Sequence, residues 1–91
     1  MADATTMLSL DALTFQTASA ALAQGAAAIA AGATVIDLGS VKTADSSGVA
    51  LMLAWQRRAR DAGRGLSFLN VPANLHTLAA VYGVDALLAP G

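Results

Sequence analysis

Length, composition and charge already exclude several classes of protein. The chain has 91 residues, no cysteine, five basic residues and a formal net charge of −1. This size fits one domain near the small end of independent folding, and the charge argues against a nucleic-acid-binding surface. Without cysteine there are no disulfides and no thiolate nucleophiles or metal ligands. No apolar run reaches the roughly 18 residues of a membrane span, so we predict no direct membrane insertion.

The first third of the chain predicts a strand followed by a helix. Leucines alternate with more polar residues over 6–12, the pattern of a strand with one wetter face. Thr14 or Thr17 can cap the helix that follows, and Gly32 can end it. The stripe that we expect to face the core consists of Phe15, Ala18, Leu22, Ala26 and Ile29.

An apolar run over 34–38 predicts the central strand of a sheet. It shows little polar alternation, which is typical of a parallel strand buried on both faces. Asp37 lies near its end, where a carboxylate can hold the following loop by accepting backbone N–H bonds. We expect residues 39–44 to form that loop.

The second helix is expected to run from about Ser46 or Ser47 to Ala62, with Asp45 or Ser46 as its N-cap. Its predicted core face consists of Gly48, Val49, Met52, Trp55, Ala59 and Ala62. The predicted outer face carries Ala50, Leu53, Ala54, Arg57, Arg60, Asp61 and Arg64. The outer face is therefore apolar in its first two turns and basic afterwards, which is plausible for a protein-docking surface.

A third strand is predicted over 66–71, followed by a helix over 74–82 that starts near Pro72 and stops at Gly83. Leu75, Leu78, Ala79 and Tyr82 share one face of this helix. The apolar segment 84–88 is expected to pack against the domain. Strands and helices thus alternate, which predicts an α/β fold: a small mixed, mainly parallel sheet flanked by helices. We predict one domain over 1–91, ordered over about 5–88.

Catalytic chemistry is poorly supported by the sequence. Ser46, His76 and Asp37 could be named as a triad, but no nucleophile elbow or oxyanion loop accompanies them. His76 is the only histidine and makes a poor metal ligand without nearby carboxylates. No phosphate-binding or dinucleotide glycine motif is present. We therefore predict no enzymatic activity, no cofactor and no metal.

The stretch from Val35-Ile36-Asp37-Leu38 to Asp45-Ser46-Ser47-Gly48 resembles the signature of the STAS domain family. That signature is a buried strand ending in Asp-Leu, a short loop, and Asp-Ser-Ser-Gly opening a helix. The resemblance covers about residues 5–88. It implies a central mixed sheet flanked by helices, and a function in binding other proteins rather than in catalysis.

Two branches of the family are similar to this chain; we favour the first and keep the second as the alternative. A STAS module that only dimerises or serves a sensor complex is a third class. The first branch is the small MlaB-type STAS subunit of the bacterial phospholipid-transport ABC complex, which maintains outer-membrane lipid asymmetry. The segment Asn74–Asp85, the Val35–Leu38 strand and the arginine-rich end of the second helix favour this branch. It implies an ABC-transporter ATPase as the partner and a cytoplasmic location, peripheral to the inner membrane through that partner.

The other branch comprises anti-sigma-factor antagonists, whose partner is an anti-sigma factor kinase. It implies that Ser46 is a phosphoacceptor. For either branch, the start of the second helix is the expected contact region. The candidate partner-binding residues are Asp45, Ser46, Ser47, Gly48, Ala50, Leu53, Ala54 and Arg57.

Overall fold

The computed structural model describes residues 5–83, in which strands and helices alternate as predicted. The helices are α1 (Ala18–Ala30), α2 (Ser46–Asp61) and α3 (Ala73–Val81). The strands are β1 (Thr5–Met7), β2 (Ala12–Leu13), β3 (Val35–Asp37), β4 (Thr43–Ala44) and β5 (Ser67–Leu69). The prediction of one continuous strand over 6–12 is wrong, because β1 ends at Met7 and a separate short strand, β2, begins at Ala12. The prediction that 39–44 is entirely loop is wrong at its end, where β4 forms. The predicted segment 84–88 lies outside the described residues.

The main sheet has three strands in the order β1-β3-β5, each pairing parallel. Met7, Asp37 and Leu69 lie at the same level of the ladder. Parallel neighbours need a crossover connection, and here α1 joins β1 to β3 while α2 joins β3 to β5. A second, two-stranded parallel sheet pairs β2 with β4. The predicted α/β class with helices flanking parallel strands is confirmed.

The core lies between the sheet and the helix pair α1 and α2. Trp55 of α2 is fully buried, and its ring centroid lies 6.3 Å from that of Phe68 on β5. Ile36 on the central strand is also fully buried. Val35 and Asp37 on either side of it are half-buried, so the expectation that the strand is buried on both faces is wrong.

The first helix turns a different face to the core from the one predicted. Its buried residues are Ala21, Gly25 and Ile29, while Phe15 precedes the helix and is 83% exposed. The helix is largely alanine, so its stripes differ little in apolarity. Gly25 can face the core because it has no side chain, since a Cβ there would overlap the ring of Trp55.

The buried faces of α2 and α3 differ from the predicted faces at only a few residues. On α2 the predicted core residues Gly48, Val49, Met52, Trp55 and Ala59 are buried. Leu51 is buried as well, whereas Ala62 is exposed. On α3 the burial of Leu75 and Ala79 is as predicted, but Tyr82 just beyond the helix is 55% exposed.

Candidate partner-binding site

The carboxylate of Asp45 caps the start of α2. The sequence predicted either Asp45 or Ser46 for this role. One oxygen, Oδ1, accepts the backbone N–H of Ser47 at 2.8 Å, and Oδ2 accepts the backbone N–H of Phe15 at 3.2 Å. The backbone N–H of Asp45 donates to the carbonyl of Leu13 at 3.1 Å. These bonds tie the loop before α1 to the start of α2. The hydrogen bond from the backbone of Ser47 lowers the pKa of Asp45 most, and the bond from the backbone of Phe15 contributes next. Both bonds stabilise the ionised form of the carboxyl group.

Ser46 is the first residue of α2, and its side chain is exposed. The capping bond is made by Asp45 rather than by Ser46. Within residues 5–83, no side-chain hydrogen bond engages the Ser46 hydroxyl. The hydroxyl is therefore at the surface beside the positive end of the helix dipole, where it can contact a partner or be modified.

A groove of about 410 Å³ begins at Ser46 and follows the first two turns of α2. It is lined by Ser46, Val49, Ala50, Leu53 and Tyr82. Ala50 is exposed. Leu53 is half-buried and also packs against the core, so its prediction as a fully outward-facing residue is wrong.

Tyr82 reaches the groove from the end of α3, although the sequence pattern grouped it on one face with Leu75, Leu78 and Ala79. The side chain of Asn74 donates to the carbonyl of Ala44 at 2.8 Å and so holds the first turn of α3 beside β4, just before α2. Phe15 is a second aromatic residue that the sequence pattern misplaced. Its backbone is bonded to Asp45 while its side chain is exposed. Only the three-dimensional arrangement places Tyr82 in the groove and leaves Phe15 exposed near the cap of α2.

Gly48 and Ser47 are less accessible than the sequence suggested. Gly48 is buried, and a Cβ there would lie 2.7 Å from Cδ2 of Leu75 and 3.4 Å from Cβ of Leu13. The glycine therefore allows close packing within the domain and contributes no side-chain surface to a partner. Ser47 is half-buried, and its backbone N–H is taken by Asp45.

The basic half of α2 borders a separate groove. Arg57 is exposed and Ala54 is half-buried. Both line a second groove of about 390 Å³, together with Leu22, Arg58 and Asp61. Arg64, which the sequence placed on the outer face, donates to the carbonyl of Ile29. That bond satisfies a carbonyl in the last turn of α1, so Arg64 holds the two helix ends together.

The residues of the nominal triad have other roles. Oδ1 of Asp37 accepts the backbone N–H of Gly39 at 2.8 Å and the amide of Asn70 at 3.0 Å. This confirms the prediction that Asp37 holds the loop after β3. His76 is exposed on α3. Among residues 5–83, no three His, Cys, Asp or Glu side chains form a cluster that could hold a metal ion.

Within residues 5–83, no helix has both the length and the apolar character that crossing a bilayer needs.

Fold and site together define a small α/β domain of the protein-interaction class, with an exposed groove at the start of its second helix. The chain belongs to the STAS domain family: the family profile described as "Mlab, STAS domain" matches residues 1–89. No curated protein matches the chain. Among solved structures it is similar to the anti-sigma factor antagonist SpoIIAA in its unphosphorylated form, with 20% identity and a TM-score of 0.69. That match covers 96% of this chain and 77% of SpoIIAA, and at this identity it establishes the fold.

Proposed function

We propose that this chain is a non-enzymatic subunit that docks on the ATPase of a phospholipid-transport ABC complex and supports its activity. The observation that carries the proposal is the groove formed by Ser46, Val49, Ala50, Leu53 and Tyr82. It is an exposed, largely apolar surface on a rigid helix, which suits a protein partner better than a small polar substrate. The Mlab description of the matching family profile supports the choice of partner.

In this proposal the complex maintains the lipid asymmetry of a bacterial outer membrane. The subunit is cytoplasmic and reaches the inner membrane only through the ATPase. It contributes surface rather than catalytic groups.

A second candidate function is that of an anti-sigma-factor antagonist switched by phosphorylation of Ser46. The exposed hydroxyl of Ser46, which does not serve as the helix cap, favours this alternative. A phosphate would add about two negative charges beside the carboxylate of Asp45 and change any contact made there. The fold likeness to SpoIIAA is compatible with it.

Binding to purified partners separates the two functions. The chain is titrated against the ATPase subunit from the same genome, and separately incubated with that organism's anti-sigma factor kinases and ATP. We expect binding to the ATPase and no phosphorylation of Ser46. Phosphorylation of Ser46 by a kinase, without binding to the ATPase, would instead establish the antagonist function.

The location of the interface can be tested with one matched pair of variants. Ala50→Asp places a charge in the groove, whereas Ala27→Asp makes the same change at another exposed alanine, on α1. We expect Ala50→Asp to weaken binding to the ATPase by roughly tenfold or more, because it buries an unpaired charge at the contact. Ala27→Asp should change binding by less than about threefold. Equal affinities for the two variants would place the interface elsewhere.

A further inference from the structure

Basic residues are concentrated at one end of α2. Four of the five in the chain, all arginines, lie within positions 57–64. Arg57, Arg58 and Arg60 are exposed. Arg64 is engaged with the carbonyl of Ile29, so it is used inside the domain. Three guanidinium groups therefore face the surroundings of a chain whose formal net charge is −1.

Two of these arginines continue the stripe that begins in the groove. Ser46, Ala50, Leu53, Arg57 and Arg60 are separated by four, three, four and three positions. Such residues share one face of a helix, and the stripe is about 21 Å long at 1.5 Å per residue. The surface changes from apolar to basic within one turn, between Leu53 and Arg57.

Arg58 lies on a different part of the helix surface. It lines a groove against α1, together with Ala26 and Ile29. It has the same charge as Arg57 and Arg60 and is also exposed, and it shares a groove with Arg57. As the next residue after Arg57, however, it lies about 100° further around the helix and is not a member of the stripe. Arg58 can therefore serve as a control for Arg57 and Arg60 in a mutagenesis experiment.

We propose that Arg57 and Arg60 bind an acidic segment of the partner, placed one to two helical turns from an apolar side chain that occupies the groove. This inference rests on the proposed function and adds the chemistry of the partner's surface. Guanidinium groups pair with carboxylates in a bidentate geometry, and complementary charge next to an apolar contact selects the partner and fixes its register. The basic stripe is continuous with the groove, so one partner segment can contact both.

An anionic membrane surface fits these residues less well than an acidic protein segment. Recognition of lipid headgroups by basic clusters uses roughly four to eight Lys or Arg residues. Only three exposed arginines are available on α2, and one of them, Arg58, is not a member of the stripe. A second copy of this chain is the other competing occupant, and sedimentation tests for it.

The experiment compares three charge reversals: Arg57→Glu, Arg60→Glu and, as the matched control, Arg58→Glu. Arg58 and Arg60 both lie in the last turn of α2, so the effect of reversal on the helix dipole is the same for both. Affinity for the purified ATPase subunit is measured at about 50 mM and about 500 mM salt. Fluorescence of the buried Trp55 checks that each variant is folded.

We expect Arg57→Glu and Arg60→Glu each to weaken binding about tenfold at low salt, with a smaller effect at high salt. Arg58→Glu should weaken it by less than about threefold. Equal losses for all three variants would show long-range attraction without contact and would overturn the inference, as would no loss at all. Failure of the unaltered chain to bind the ATPase would overturn the proposed function as well.

Two further measurements test the other occupants. The chain should show no binding to vesicles of anionic phospholipid that is lost when Arg57 or Arg60 is replaced by Glu. Sedimentation should show no self-association that Arg57→Glu abolishes. Either effect would assign the stripe to lipid or to a second copy and contradict the acidic protein partner.

Discussion

The indole ring of Trp55 lies directly against the backbone of Gly25, and at this point α1 and α2 touch. A Cβ at Gly25 would lie 2.7 Å from Cδ1 of the ring and still nearer to Nε1 and Cε2. The ring is fully buried, and its Nε1 donates to the carbonyl of Leu22 at 3.4 Å. Because the ring is rigid and enclosed, it cannot move aside cheaply.

We therefore predict that Gly25→Ala destabilises the domain by about 1–3 kcal/mol, through overpacking against Trp55. Glycine to alanine inside a helix would otherwise stabilise it by about 0.5–1 kcal/mol. Gly65→Ala is the control, since no atom lies within 4 Å of a Cβ there. Urea unfolding followed by the fluorescence of Trp55 measures both variants. An unchanged or higher free energy of unfolding for Gly25→Ala would contradict the packing described.

The contact between Gly25 and Trp55 also shows why α1 was predicted less well than α2. Thirteen residues of α1 contain no charged side chain and are mostly alanine, so the sequence offers little contrast between core and solvent. On α2, charged residues in the second half mark the outer face. Which stripe of α1 turns inward is decided by a residue 30 positions away, and this information is absent from local periodicity.

The lowered pKa of Asp45 leads to a pH-dependent stability. Its carboxylate accepts the N–H groups of Ser47 and Phe15 only when the chain is folded, which lowers its pKa from the ordinary value of 3.8. The stabilisation is therefore complete above about pH 4 and is lost as pH falls through the lower folded-state pKa. Asp45→Asn keeps a good capping group but removes the charge.

We predict that the unaltered protein is more stable than the Asp45→Asn variant at pH 7. This difference in stability should be smaller at pH 3. Thermal unfolding of both proteins across this pH range provides the measurement. A difference in Tm that stays constant, or grows towards low pH, would show that the carboxylate is not ionised preferentially in the folded state. Asp11→Asn, at an exposed residue, controls for the general loss of one negative charge.

Phe15 is predicted to contribute to binding without contributing to stability. Its side chain is 83% exposed although its backbone is bonded to Asp45 at the start of α2, and aromatic side chains, phenylalanine included, are enriched at protein–protein interfaces. Phe15→Ala should change the free energy of unfolding by less than about 0.5 kcal/mol. Affinity for the ATPase should fall by roughly tenfold, as measured by calorimetric titration. A large loss of stability with unchanged affinity would assign Phe15 to the fold instead.

The sequence predicted those residues of the candidate site that lie close together in the chain, and missed those that come from distant elements. The strand ending in Asp37 and the helix start at Asp45 both follow from local chemistry, and the structure confirms the loop-holding and capping roles. Phe15 and Tyr82 come from other elements. Both are large and apolar, and the sequence pattern grouped each with the apolar residues of its helix. Both are nevertheless exposed, because of the way the surrounding elements pack.

The last prediction concerns two substitutions at Ser46. Since Asp45 caps α2, Ser46→Ala should change the free energy of unfolding by less than about 0.5 kcal/mol, rather than the roughly 1 kcal/mol expected for a lost cap. Ser46→Asp should also remain folded, because the positive end of the helix dipole offsets its proximity to Asp45.

The two variants should differ in binding. Ser46→Asp adds a second carboxylate at the mouth of the groove, next to Asp45, and a partner that covers it must bury an unpaired charge. We expect affinity for the ATPase to fall at least tenfold with aspartate and less than threefold with alanine. Thermal unfolding of the free variants and calorimetric titration of the ATPase measure both effects. If aspartate binds as well as serine while alanine does not bind, Ser46 acts on the helix and does not lie in the interface.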